Sequence, residues 1–225
     1  MRRRHFAVGV AATAIGLVAT APAGAQSNRD SASGIREALE RGAVSAVGLL
    51  GRPDGFLGNP RVRIELPGFL KNAAKLLRFT GQQGRVDDLV TAMNRAAEAA
   101  VPEAKALLVD AVKSISLGDA RRLVSGGDGA VTRFFAAKTR APLAARFLPI
   151  VQGETAKVDL AARYNAVAGQ AAGYGLVKGD DANIDVYVTR KALDGLYVMI
   201  AEEERKIRRD PIGTGSALLA KVFGR

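Results

Sequence analysis

Apolar residues recur along nearly the whole chain at steps of three and four, the spacing that lays one apolar stripe along an α-helix. Ile35, Leu39, Ala43 and Val47 stand four apart between Gly34 and Leu50. Ser33 is placed to cap that helix and Gly51 to end it. Val86, Leu89, Met93, Ala96 and Ala100 repeat the pattern and predict a second helix over 86–100. Val101-Pro102 opens another, because proline fits the first helical turn without losing a hydrogen bond. Ser116, with Asp119 three residues on, reads as an N-cap and its acidic partner, and Gly126-Gly127-Asp128-Gly129 as a turn. Two Ala-rich helical segments follow at roughly 130–149 and 152–172, kinked or broken near Pro142 and Pro149. Beyond a loop at about 173–184, a long helix over about 185–209 carries Leu193, Leu196, Ile200 and Ile207. Glu202–Lys206 and Glu204–Arg208, each acid first and four apart, are predicted to pair on its solvated outer face. Asp210-Pro211 stops this helix, and a short one, Ser216 to Phe223, closes the chain.

The periodicity breaks once. Between Arg52 and Pro60 the Asp54-Gly55 and Asn59-Pro60 pairs mark turns. Arg61 to Leu66 then alternates charged and apolar residues, as a short strand or extended arm does. Pro67 opens a helix through Phe79. No internal repeat emerges. The fold class is therefore all-α: a single compact multi-helix bundle with one short extended arm at about 61–66. One helical domain spans 34–224, after a flexible stretch at 26–33.

The N-terminus has a different character. Met1-Arg2-Arg3-Arg4-His5 is basic, an apolar run follows from Phe6 to about Ala21, and Ala23-Gly24-Ala25 precedes Gln26. This is the pattern of a secretory signal peptide cleaved after Ala25. A membrane-spanning helix needs about 20 apolar residues, and this run is shorter and rich in Gly and Ala. Arg3-Arg4-His5-Phe6 also resembles the start of a twin-arginine export signal. The expected product is exported and soluble, in the periplasm or outside the cell, with no transmembrane segment after cleavage.

Cleavage gives the composition its force. The chain has one histidine, His5, and no cysteine or tryptophan, so residues 26–225 hold none of the three. A lipoprotein needs a cysteine at its cleavage site and is excluded. No disulfide can form in an oxidising compartment, so stability must come from packing. Zinc has no nitrogen or sulfur ligand, and Ser-His-Asp and Cys-His catalytic systems are impossible. Gly126-Gly127-Asp128-Gly129 lacks the spacing and the Lys-Ser/Thr of a phosphate loop. Asp181-x-Asn183-x-Asp185 matches the first half of a calcium loop, but Val186 and Ala192 occupy the positions of the turn glycine and the bidentate glutamate. No cofactor or metal is implied.

Charge points to a class of partner. The chain has 33 basic and 22 acidic residues. Loss of Arg2, Arg3 and Arg4 leaves 30 against 22, a net +8. Such a balance favours anionic partners: phospholipid head groups, lipopolysaccharide or acidic polymers. The bases are dispersed and few aromatics lie among them, so no stacking platform for nucleic acid is visible.

Carboxylates, amides, hydroxyls and guanidiniums remain for any chemistry. Asn94 and Glu98 share one face of the 86–100 helix, with Arg95 three before Glu98. Glu98, held by Asn94 and Arg95, would serve as acid or base in a polar pocket. The same trio would equally fix helix register as a buried hydrogen-bonded network, and structural ion pairs outnumber catalytic ones. A hydrolase would need a second acid, such as Asp119 or Glu103. Phe56, on an exposed turn loop, is a candidate contact residue.

Several longer motifs coincide. Asp54-Gly55-Phe56, Met93-Asn94-Arg95-Ala96-Ala97-Glu98, Val101-Pro102-Glu103-Ala104, Tyr187-Val188-Thr189, Ala192-Leu193-Asp194-Gly195-Leu196 and Ala201-Glu202-Glu203-Glu204 are among them. With Val222-Phe223-Gly224, they make the chain resemble the bacterial domain of unknown function 4197 family over about residues 34–224. The resemblance implies an exported, mostly helical protein and supplies no catalytic residues. Three functions follow: a non-catalytic periplasmic binding protein for an anionic envelope component or protein partner, a carboxylate-dependent hydrolase centred on Glu98, and a structural or assembly protein.

Overall fold

A computed structural model describes residues 23–70, 81, 83–157, 159–173 and 181–210. Most of the leader, the helix expected beyond Leu70 and the terminal helix at 216–223 lie outside the described residues. Among those described, α-helices occupy Ala23–Leu50 (α1), Gln83–Ala100 (α2), Ala104–Lys113 (α3), Leu117–Ser125 (α4), Ala130–Thr155 (α5), Asp159–Gly173 (α6) and Ile184–Arg209 (α7). The bundle is all-α, as the periodicity predicts. One contiguous apolar core joins it.

α7 is the hub, packing against α1, α2 and α5. Its pairing with α5 is antiparallel along the length of both helices. The Glu204 carboxylate meets Thr132, Tyr197 Oη meets Thr139 Oγ1 at 2.9 Å, Asp194 meets Arg140, and Asp185 meets Thr155. Buried residues on α5 fall at every fourth position: Val131, Phe135, Thr139, Leu143, Phe147, Val151 and Thr155. A four-residue step overshoots the 3.6-residue turn, so the stripe winds around the helix, which packs against α2 and α3 as well as α7.

Four local expectations are corrected. Pro142 and Pro149 do not break the 130–172 region at their own positions: both lie inside α5. Each removes the donor for the carbonyl four residues earlier. Those carbonyls belong to Lys138 and Ala145, both exposed residues, so the freed acceptors are not sealed in the core. Ser33 is not a cap, because α1 already runs from Ala23. No proline lies between Pro22 and Pro53. Polar residues cost only tenths of a kcal/mol each, up to about 0.7, in a helix, so α1 propagates backward from its packed half. The Glu202–Lys206 pair is replaced: Glu202 bonds Arg61 of the arm at 2.6 Å, and Lys206 bonds Glu203. Glu202 and Glu204 are buried, because α7 is enclosed by its neighbours where a solvated face was expected.

The segment before α2 keeps its alternation. Val62, Ile64 and Leu66 are buried while Arg61, Arg63 and Glu65 are exposed. It forms no ladder and is an extended arm laid over the bundle. The Ser116–Asp119 capping box, the Gly126–Gly129 turn with Gly127 and Gly129 at positive φ, and the stop at Gly51 all form as expected. No helix among the described residues is long and apolar enough to cross a membrane.

Candidate functional site

The Asn94–Arg95–Glu98 trio does come together, and its partners are the chain's own backbone. Glu98 Oε1 accepts from the N–H groups of Phe56 and Leu57, each at 3.0 Å. Its Oε2 accepts from Arg95 Nη1 at 2.6 Å, while Arg95 Nη2 donates to Asp54 at 2.9 Å. The paired carboxylates, Glu98 foremost, raise the affinity of the Arg95 guanidinium for its proton. Asn94 accepts from the N–H of Ile64 at 2.8 Å and donates to its carbonyl at 2.9 Å and to Val90 O at 2.7 Å. An amide thus does for Ile64 what a neighbouring strand would do. Both residues fasten the 54–64 segment to α2, and both Glu98 oxygens are occupied by protein donors.

Phe56 is fully buried, correcting its expected exposure. The turn folds inward because Gly55 packs on the end of α1, where a Cβ would stand 2.3 Å from Leu50 O. Asp54, at φ 64°, makes the reversal. Asp119 lies on α4, where its carboxylate accepts from Ser116 N at 3.1 Å, Ser116 Oγ at 2.7 Å and Arg122 Nη2 at 2.5 Å. The Ser116 bonds, then Arg122, hold its pKa down at about 2. Asp119 is a half-buried capping group.

The half calcium loop divides among three tasks. Asn183 caps α7 by accepting from Asp185 N and Val186 N. Asp185 accepts from Thr155, and Asp181 pairs with Arg190 at 2.5 Å. No group of three acidic or histidine ligands forms among the described residues.

A site-like opening among the described residues is not announced by any sequence motif. It is a groove of about 390 Å³ along the α5–α7 seam. Ala144, Ala145 and Leu148 of α5 and Val186 and Leu193 of α7 make its walls apolar; Arg140, Thr189 and Arg190 supply its polar groups. Arg140 pairs with Asp194 at 3.0 Å and stacks over Tyr197, and Arg190 stacks over Tyr187. Thr189 Oγ1 and Arg190 Nε are buried without hydrogen-bond partners. A second depression, of about 560 Å³, is lined among described residues by Glu37, Glu40, Arg41, Val44 and Ser45 of α1. Its two glutamates give it the wrong sign for an anion.

Fold and site together define an all-α bundle whose conspicuous polar residues hold its own backbone, with one basic-edged apolar groove on its surface. The chain belongs to the family described as "Protein of unknown function (DUF4197)", whose model matches residues 25–224. No curated protein and no solved structure matches it.

Proposed function

We propose that the chain is exported by its N-terminal leader and acts without catalysis, as a helical binding protein for an anionic component of the cell envelope. One observation carries this reading. From Ala130 to Gly153, α5 bears Arg133, Lys138, Arg140 and Arg146 and no carboxylate. Three of the four are exposed and Arg140 is half-buried. A helix of one sign beside an open groove presents a coherent field, unlike the bases scattered elsewhere. The engagement of Glu98 by the Phe56, Leu57 and Arg95 donors supports binding over the carboxylate-hydrolase alternative. The test is co-sedimentation of the purified protein with vesicles containing phosphatidylglycerol or phosphatidylcholine alone. Capture by the anionic vesicles that weakens with added salt supports the reading. No capture at low salt contradicts it.

A further inference from the structure

We propose that the α5–α7 groove binds a single-chain amphiphile with a carboxylate head: its anion is taken by Arg190 and Thr189, and its alkyl chain lies along Ala144, Leu148 and Leu193. The proposal rests on the anion-binding reading above and gives it a place and a ligand class.

The layout of the groove divides it into a head end and a tail wall. In the antiparallel register, Thr189 and Arg190 stand opposite the stretch of α5 around Arg146 and Phe147, next to Leu148. Leu193, Ala144 and Ala145 continue the seam toward Arg140 as apolar wall. Val186, 36 % exposed, is an apolar surface left to solvent at the groove edge. At about 390 Å³ the space is at the small end of ligand sites, which run from about 300 to 1,000 Å³. It suits one alkyl chain and is too small for a two-chain phospholipid.

The head end is marked by groups the fold leaves unused. Native structures bury few polar atoms without partners, yet here two fall on adjacent residues, and both residues line the same groove. Thr189 is 5 % exposed and its hydroxyl has no partner. Arg190 gives one bond, from Nη2 to Asp181 Oδ1 at 2.5 Å, and its Nε gives none. A carboxylate matches the fork of a guanidinium by taking two parallel N–H bonds, and the idle Nε is one prong of that fork. Both atoms are shielded from solvent although their residues line the groove. Seating the head therefore requires a side-chain rotation that brings the Thr189 hydroxyl to the groove, and a swing of the Arg190 side chain away from Asp181. Arg140 and Arg190 each pair with a carboxylate and stack on a tyrosine, but only Arg190 has a buried Nε without a partner, next to the unpartnered Thr189 hydroxyl, so the head belongs at Arg190.

The probe is sodium decanoate, titrated below its micelle concentration into the full-length chain by calorimetry, with decanol as the neutral control. Saturable decanoate binding, about tenfold or more tighter than decanol, is the expected result. Thr189→Val and Arg190→Gln should each weaken it by about tenfold. Ala144→Leu fills the groove from a half-buried wall position and should abolish binding while circular dichroism stays unchanged. Lys113→Gln, on α3 away from the groove, should bind as the wild type does. Absence of saturable binding, or binding indifferent to all three groove variants, overturns the proposal. If anionic vesicles are still captured when decanoate is not, the groove assignment falls and the anion-binding reading stands. If neither binds, both fall.

Discussion

Gly195 on α7 and Phe56 in the folded-in turn are in such close contact that a Cβ on the glycine would stand 2.6 Å from Phe56 Cε1 and 3.2 Å from Cζ. Val62 of the arm closes the same space at 3.2 Å. The glycine is therefore the floor on which the aromatic ring and the arm rest. In a free helix Gly→Ala gains about 1 kcal/mol. Here overpacking a rigid ring costs about 1–3 kcal/mol, so Gly195→Ala should destabilise on balance. Phe56→Leu should lower that penalty in a double-mutant cycle read by chemical denaturation. Simple additivity of the two would contradict the contact.

Glu98 should behave as an anchor under mutation. Glu98→Ala strands the buried N–H of Phe56 and the half-buried N–H of Leu57, at roughly 1–3 kcal/mol each. Glu98→Gln keeps an acceptor and should lose much less. Limited proteolysis of the Glu98→Ala protein should open between Arg52 and Arg63 before the helices are cut. Wild-type stability in Glu98→Ala would refute the anchor.

Glu204 serves a helix other than its own. Its carboxylate accepts from Val131 N at 3.3 Å, Thr132 N at 3.2 Å and Thr132 Oγ1 at 3.0 Å, at the first turn of α5, where N–H groups lack helical partners. Arg208 Nη2 bonds the same carboxylate at 3.0 Å and Leu123 O at 2.8 Å, tying the end of α4 into the joint. Glu204→Ala should cost about 3 kcal/mol or more, as breaking a buried pair does. Hydrogen exchange should show faster opening at Val131 and Thr132 than at Phe147. Uniform acceleration along α5 would count against a local cap.

Asp119 makes a prediction about acid. A carboxyl whose folded pKa is about 2, against an ordinary 3.8, contributes stability above the ordinary value and loses it as pH falls through about 2. Its carboxyl resonance in an NMR titration should have a midpoint near 2. Ser116→Ala, which removes the leading cause of the shift, should move the midpoint up toward 3.8. A midpoint already near 3.8 in the wild type would exclude the capping box in solution.

Local signals in this chain were legible wherever the cause was local. The Ser116–Asp119 box, the Asp54-Gly55 reversal and the Gly51 stop each depend on residues within a few positions. The arm's alternation at Arg61–Leu66 also survived, because burying one side of an extended segment needs only period two. Pro142 and Pro149 misled because the cost of an internal proline depends on whether the freed carbonyl faces water, which is a tertiary fact. Phe56 looked exposed because its burial depends on Gly195, far along the chain. Glu202 and Glu204 looked like solvated partners of Lys206 and Arg208 for the same reason: helical spacing identifies neighbours on one helix and says nothing of Arg61 or Val131 arriving from another. The α5–α7 groove lay beyond reach because neither helix contains it.

The most direct test of anion binding is the salt dependence of anionic-vesicle capture for the wild type beside the double variant Arg133→Glu, Arg146→Glu. Both positions are exposed on α5, so the fold should be undisturbed. The account predicts strong low-salt capture of the wild type, loss of capture for the variant, and convergence of the two at high salt. Equal capture of both proteins at every salt concentration would contradict it.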